Sequence, residues 1–160
     1  MRKSIVILTC LVVFTLATAA QEYKTGFGFR GGLSNGLTIK HFIGSDIAVE
    51  GLMTARYKGW NITGLYEIHT EPFNVNNLYF YYGLGGHIGS WQTMKGKPWW
   101  DDTEMHSVIG IDGIIGLEYN FLNVPFSVSL DWKPGLNIIG YPKFWGDELS
   151  LSVRYVWGSR

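Results

Sequence analysis

Beyond residue 20 this chain has no cysteine. Its one cysteine, Cys10, lies in an apolar N-terminal run. The remainder can therefore hold neither a disulfide nor a cysteine-based metal site. Charge is scarce as well. Charged residues make up 16% of the chain, against about 25% in an ordinary soluble domain. The two signs balance to a formal net charge of +0, so no basic excess points to nucleic acid. After residue 21 no apolar run approaches the roughly 20 residues that a membrane-spanning helix needs. What the chain has in quantity is glycine, 21 residues, and aromatic side chains, 16%. That much glycine argues against a helix-rich domain, because glycine is costly in helix interiors.

The N-terminus reads as a targeting signal. Met1, Arg2 and Lys3 form a short basic start, residues 4–16 are almost unbroken apolar, and residues 17–20 are small. That order is the pattern of a cleaved secretory signal. Cleavage after Ala19 or Ala20 fits, with Ala20 preferred, and Cys10 leaves with the signal. The expected organisation is a signal peptide over 1–20 and one domain over 21–160.

From there the sequence alternates. Side chains on a strand point to opposite faces with period two. Residues 107–121 place Ile109, Ile111, Ile115, Leu117, Tyr119 and Phe121 on one face. Val108, Asp112, Ile114, Gly116, Glu118 and Asn120 take the other. After a break at 122–125, Phe126, Val128, Leu130 and Trp132 oppose Ser127, Ser129, Asp131 and Lys133. The same reading gives strands over 24–33, 37–43, 47–57, 60–69, 78–89 and 148–157. Turns are expected at 34–36, 44–46, 58–59 and 71–77, and longer loops over 90–105 and 137–147. Eight strands of about ten residues match the roughly 9–11 that a tilted transmembrane strand requires.

A soluble β-sandwich or a lipocalin-like barrel also gives each strand one apolar face. Three features favour lipid. Strand charges fall on the face opposite the apolar one: Lys24, Arg30, Lys40, Glu50, Arg56, Glu67, Asp112, Glu118, Asp131, Lys133 and Arg154. The signs nearly balance, which suits an enclosed interior where an unpaired charge costs several kcal/mol. Glycines gather on the same polar face, where a narrow lumen needs room for long side chains. Aromatics of the apolar face (Trp60, Tyr66, Tyr119, Phe121, Phe126, Tyr155, Trp157) sit near strand ends, as in the girdles of outer-membrane barrels. Strands in lipid must close into a ring, since no backbone group can be left unpaired there. The expected fold is all-β, an eight-stranded antiparallel up-and-down transmembrane β-barrel. By parity, turns near Ser45, Pro72 and Pro125 share one end with the C-terminus. The connections near Asn35 and Gly59 share the other with the loops 90–105 and 137–147.

The chain resembles the small outer-membrane β-barrel proteins of Bacteroidota, similar in build to the outer membrane protein X and outer membrane protein A barrels. The resemblance rests on segments 36–42, 48–51, 64–67, 81–87, 113–119 and 130–134, and covers nearly all of 21–160. It implies an outer-membrane location, contact with outer-membrane lipid and lipopolysaccharide, and handling by the assembly machinery. It implies no activity and no cofactor. Gly158, Ser159 and Arg160 follow Trp157, whereas family chains often end on the aromatic residue.

Candidate sites follow. The inward charges Arg30, Lys40, Glu50, Arg56, Glu67, Asp112, Glu118, Asp131, Lys133 and Arg154, with His87, are expected to form a lumenal polar network that plugs the barrel, with Tyr81 also pointing in. The alternative is a narrow solute pore. Trp91, Trp99, Trp100, Asp101 and Asp102 mark a possible binding surface for a sugar, an ion on lipopolysaccharide or an envelope protein. No metal site is expected there, because the acids lack EF-hand spacing. A lipid A-modifying enzyme would need a serine and histidine within hydrogen-bond reach. His106 and Ser107 are adjacent and point to opposite faces, and Ser90 has opposite parity to His87. His69 is expected near the rim. The function expected from the sequence is structural or surface-interacting, not enzymatic.

Overall fold

The computed structural model describes residues 23–56, 59–73, 75–92, 105–140 and 143–159. The expected signal segment 1–20 lies outside these residues. Ten strands are formed: β1 (Thr25–Gly32), β2 (Asn35–Phe42), β3 (Ile47–Arg56), β4 (Gly59–Thr70), β5 (Leu78–Gln92), β6 (Met105–Asn120), β7 (Phe126–Trp132), β8 (Gly135–Ile139), β9 (Lys143–Trp145) and β10 (Leu149–Trp157). Eight of them close a ring in the order β1-β2-β3-β4-β5-β6-β7-β10, each antiparallel to its neighbours. The seam joins first and last strands, from Thr25 opposite Trp157 to Gly32 opposite Ser150. The eight-stranded up-and-down barrel expected from the alternation is the fold.

β8 and β9 lie outside that ring and correct the expected loop over 137–147. β7 pairs with β6 as far as Trp132 opposite Ile115. Pro134 then interrupts the ladder, since it has no N–H to donate, though its carbonyl accepts from Gly113 N at 2.8 Å. β8 resumes along β6 with Gly135 opposite Asp112, and β9 folds back on β8. A bulge at Ile109 and Gly110 leaves Ile138 over as the extra residue. The sequence hid this hairpin because Pro134, Gly135 and Gly140 read as punctuation.

A second correction concerns residues 34–36. They were expected as a turn, yet β2 begins at Asn35. Gly36 is a strand residue opposite Thr54. A Cβ there would lie 1.9 Å from the Met53 carbonyl oxygen, so close backbone approach requires glycine. The turn itself is tighter, with Asn35 Oδ1 accepting from Gly32 N at 3.2 Å. Likewise β5 and β6 run further into the expected loop 90–105, reaching Gln92 and starting at Met105.

Parity decides burial, and hydrophobicity does not. Ile114 is 4% exposed while its neighbour Ile115 is 41% exposed. Glu50, Glu67, Arg30 and Arg154 are buried, whereas Phe29, Ile39, Met53, Leu84, Ile111 and Leu151 face outward. The protein is thus apolar outside and charged inside. Among the described residues, the connections between β2 and β3, β4 and β5, and β6 and β7 lie at one end, termed the base, with Tyr23 and Trp157. The opposite end, the mouth, receives the β1–β2 and β8–β9 connections. Outward aromatics gather at the base: Tyr119 lies edge-on to Phe121 at 5.1 Å, and Phe126 to Tyr155 at 5.7 Å. Trp60 and Trp132 stand outward toward the mouth.

Candidate functional site

Inward-pointing parity on every ring strand delivers charged side chains to one enclosed axis. They divide into two groups. The group nearer the base centres on Lys40 of β2. Its Nζ lies 2.8 Å from Glu67 of β4, 3.1 Å from Glu118 of β6 and 3.3 Å from Glu50 of β3. It also sits 4.0 Å from the centre of the Tyr81 ring. Arg154 of β10 donates to Glu50 at 2.5 Å, to Ser129 at 2.9 Å and to Thr38 at 3.0 Å, and lies 3.6 Å from Glu118. Arg30 of β1 grips Asp131 of β7 with both Nη atoms, at 2.5 and 2.8 Å. Tyr81 adds its hydroxyl to Asp131 at 3.0 Å. Tyr23 donates its hydroxyl to Glu118. His69 stacks on Tyr81 at 5.0 Å.

This crowding explains some of the inward glycines. A Cβ at Gly116 would stand 2.7 Å from both the Tyr81 ring and Asp131. The tyrosine occupies the space that any other residue would fill. Below the charges, Tyr23, Phe42, Ala48 and Val156 form an apolar cap. Above them, Leu52, Leu65, Tyr81 and Ile114 form an apolar layer. On β3 and β6 that layer falls between the central carboxylates Glu50 and Glu118 and the mouth residues Thr54 and Asp112.

The second group forms a cup at the mouth. His87 of β5 shares a hydrogen bond between Nδ1 and Asp112 of β6 at 2.7 Å, and another between Nε2 and Asn137 of β8 at 2.9 Å. Lys133 lies 3.0 Å from Asp112 and 3.3 Å from Glu148. Ser34 donates to Glu148 at 2.7 Å. Gly110 leaves room for the imidazole, since a Cβ there would meet His87 Cε1 at 2.5 Å.

Of the expected lumenal residues, Arg30, Lys40, Glu50, Glu67, Glu118, Asp131 and Arg154 meet in the central group. His87, Asp112 and Lys133 meet in the cup. Arg56 ends β3 at the mouth, where it lines the same cup, and its ion pair is with Asp147 at 2.7 Å, 5.7 Å from the Trp145 ring centre. Lys24, whose parity pointed inward, is exposed, because it precedes β1 at the base rim where the wall ends. His69 sits near the base end of β4, its backbone N–H on the Asp46 carbonyl, and its ring turns inward to lie buried 3.9 Å from Glu67. Tyr23, Asn137 and Glu148 were missed by sequence reasoning. Glu148 shares parity with Ser150 and Arg154, which would have found it. Both ring nitrogens of His87 are engaged by Asp112 and Asn137, and neither bonds a serine. Of the suggested surface loop, Trp91 stands opposite His106 by its backbone. Trp99, Trp100, Asp101 and Asp102 lie outside the described residues.

Comparison with protein families, curated proteins and solved structures finds no match for this chain. The class it defines is read from its own geometry: a small closed antiparallel barrel with a buried ion-pair network and an apolar exterior.

Proposed function

We propose that this protein is an integral outer-membrane β-barrel of the small Bacteroidota type, with a structural or surface-interaction role and a plugged lumen. The inverted distribution of side chains carries this reading. A water-soluble barrel encloses its apolar face, whereas here Lys40, Glu50, Glu67 and Arg154 are enclosed and Phe29, Ile39, Leu84 and Ile111 are outside. Exposed apolar surface of that extent marks a contact with lipid or protein. Ring closure suits lipid, since every wall strand finds two neighbours and no edge is left open. The lumen supports a plug, because eight strands leave an interior just wide enough for side chains to fill. Its partners on this reading are outer-membrane lipid and lipopolysaccharide, the assembly machinery during biogenesis, and an envelope protein recognised at the mouth loops. No chemistry is assigned to it.

Fractionation of the envelope tests the location. The folded protein is expected in the outer-membrane fraction and, unboiled, to migrate faster on denaturing gels than after heating. Recovery in the soluble periplasm, with no heat-dependent shift, would reject the proposal.

A further inference from the structure

One ion pair at the mouth has unequally placed halves. The Arg56 side chain is 7% exposed, while that of Asp147, which grips it, is 53% exposed. Asp147 stands on the connector between β9 and β10. The guanidinium spends two Nη atoms on this carboxylate, at 3.3 and 2.7 Å. Trp145 forms the wall beside it. Asn61 of β4 lines the same cup, nine-tenths buried, and its side-chain oxygen has no hydrogen-bond partner.

We propose that this cup is an oxyanion site, taking a carboxylate or phosphate group, in which Asp147 is the built-in stand-in for the ligand. The guanidinium fork matches both anions bidentately. The cation is the fixed half of the pair, held by a ring strand, and the anion is the replaceable half. Charge supports an exchange. Arg56 and Lys133 line the cup with Asp112 and Glu148, and Asp147 pairs with Arg56, so replacing Asp147 by another monoanion leaves the sum unchanged. Size narrows the ligand. The cup leaves about 20 Å³ free, about the space of one water. Only a head group that takes the place of the Asp147 carboxylate fits, with the rest of the ligand outside the mouth. Asn61 can turn its amide to offer N–H to the anion, because the group carries both a donor and an acceptor end. A sugar carboxylate, or a phosphate monoester in its singly protonated form, meets these demands, either as a free solute or on a lipid head group.

The test uses the folded protein without its signal, in a maltoside detergent, titrated with inorganic phosphate and with glucuronate by calorimetry. Asp147→Asn, an exposed change, is expected to tighten binding about five- to tenfold, because apparent affinity rises with the fraction of sites left open. Arg56→Gln is expected to abolish binding while the heat-dependent gel shift persists. If Arg56→Gln does not fold, Arg56→Lys replaces it: the charge remains, the fork is lost, and the gain from Asp147→Asn disappears. Absence of saturable binding in Asp147→Asn, or equal binding in Arg56→Gln, overturns the proposal. Vesicles with and without phosphorylated lipid A separate the sources. Competition by lipid A assigns the site to a head group, and its failure assigns it to a solute. The free-anion arm does not depend on the membrane reading.

Discussion

Removing the central cation of the lumen should be far more damaging than removing one of its anions. Lys40 contacts three carboxylates within 3.3 Å, all fully enclosed. Among the described residues the central group holds Arg30, Lys40 and Arg154 against Glu50, Glu67, Glu118 and Asp131, four anions on three cations. Lys40→Met keeps the length of the side chain and deletes its charge, leaving four carboxylates on two arginines. Breaking a buried pair by removing one partner costs about 3–5 kcal/mol, and Lys40 serves three partners, so the loss should reach at least the top of that range. Glu67→Gln is the counterpart. Its amide keeps an oxygen in the place of the carboxylate oxygen that lies 2.8 Å from Lys40 Nζ, and the group becomes three against three. That variant should be neutral or more stable than the parent. In the double variant, losing Glu67 should recover about 1–3 kcal/mol of the Lys40→Met loss, the size expected for residues in one network. Urea unfolding in lipid vesicles, followed by tryptophan fluorescence and by the gel shift, measures all three. A Lys40→Met loss below about 1 kcal/mol, the scale of a solvent-screened pair, would refute an enclosed lumen.

The outer face makes its own prediction: Ile115→Arg should destabilise the vesicle-inserted barrel by about 2–4 kcal/mol, the penalty for arginine at mid-membrane. A harmless Ile115→Arg, with Asp112→Leu severe only in water, would exchange inside and outside. Gly36→Ala should lose about 1–3 kcal/mol in the same assay through overpacking, because its Cβ would meet backbone at 1.9 Å. Gly64→Ala should change stability by less than about 0.5 kcal/mol, since a Cβ there meets nothing within 4 Å; equal losses at both positions would contradict the register. In planar bilayers the protein should give no large, stable conductance steps, and their appearance would show the plug to be open.

The face of each strand was legible because period-two alternation is a property of the chain itself. Ile114 and Ile115 were assigned to opposite faces by parity alone, and the burial agrees. What parity cannot reach is the pairing across the lumen. Arg30 and Asp131 are separated by 101 positions, and their meeting depends on ring closure and register. Glycine misled in one place. A glycine that a turn needs and a glycine that close backbones need look identical in sequence, so Gly36 was assigned to a turn. Rim residues followed the strand pattern past the point where the wall stops, as with Lys24, or met a partner that sequence left in a loop, as with Arg56 and Asp147. Tyr23 carried no signal, since it precedes the first alternating residue.

The β1–β10 seam has a consequence for how the barrel assembles. Arg154 is carried by the strand that closes the ring, and its partners Glu50 and Glu118 belong to strands made much earlier. Until β10 docks, the unfinished wall holds Glu50, Glu67, Glu118 and Asp131 with only Arg30 and Lys40 among them. Docking the last strand therefore delivers the missing cation and covers the exposed edge of β1 in one event. Loop-closure entropy makes such distant pairings slow to form. Electrostatic attraction toward an anionic, half-built interior gives the final strand a direction of approach, so charge compensation and closure become the same folding step.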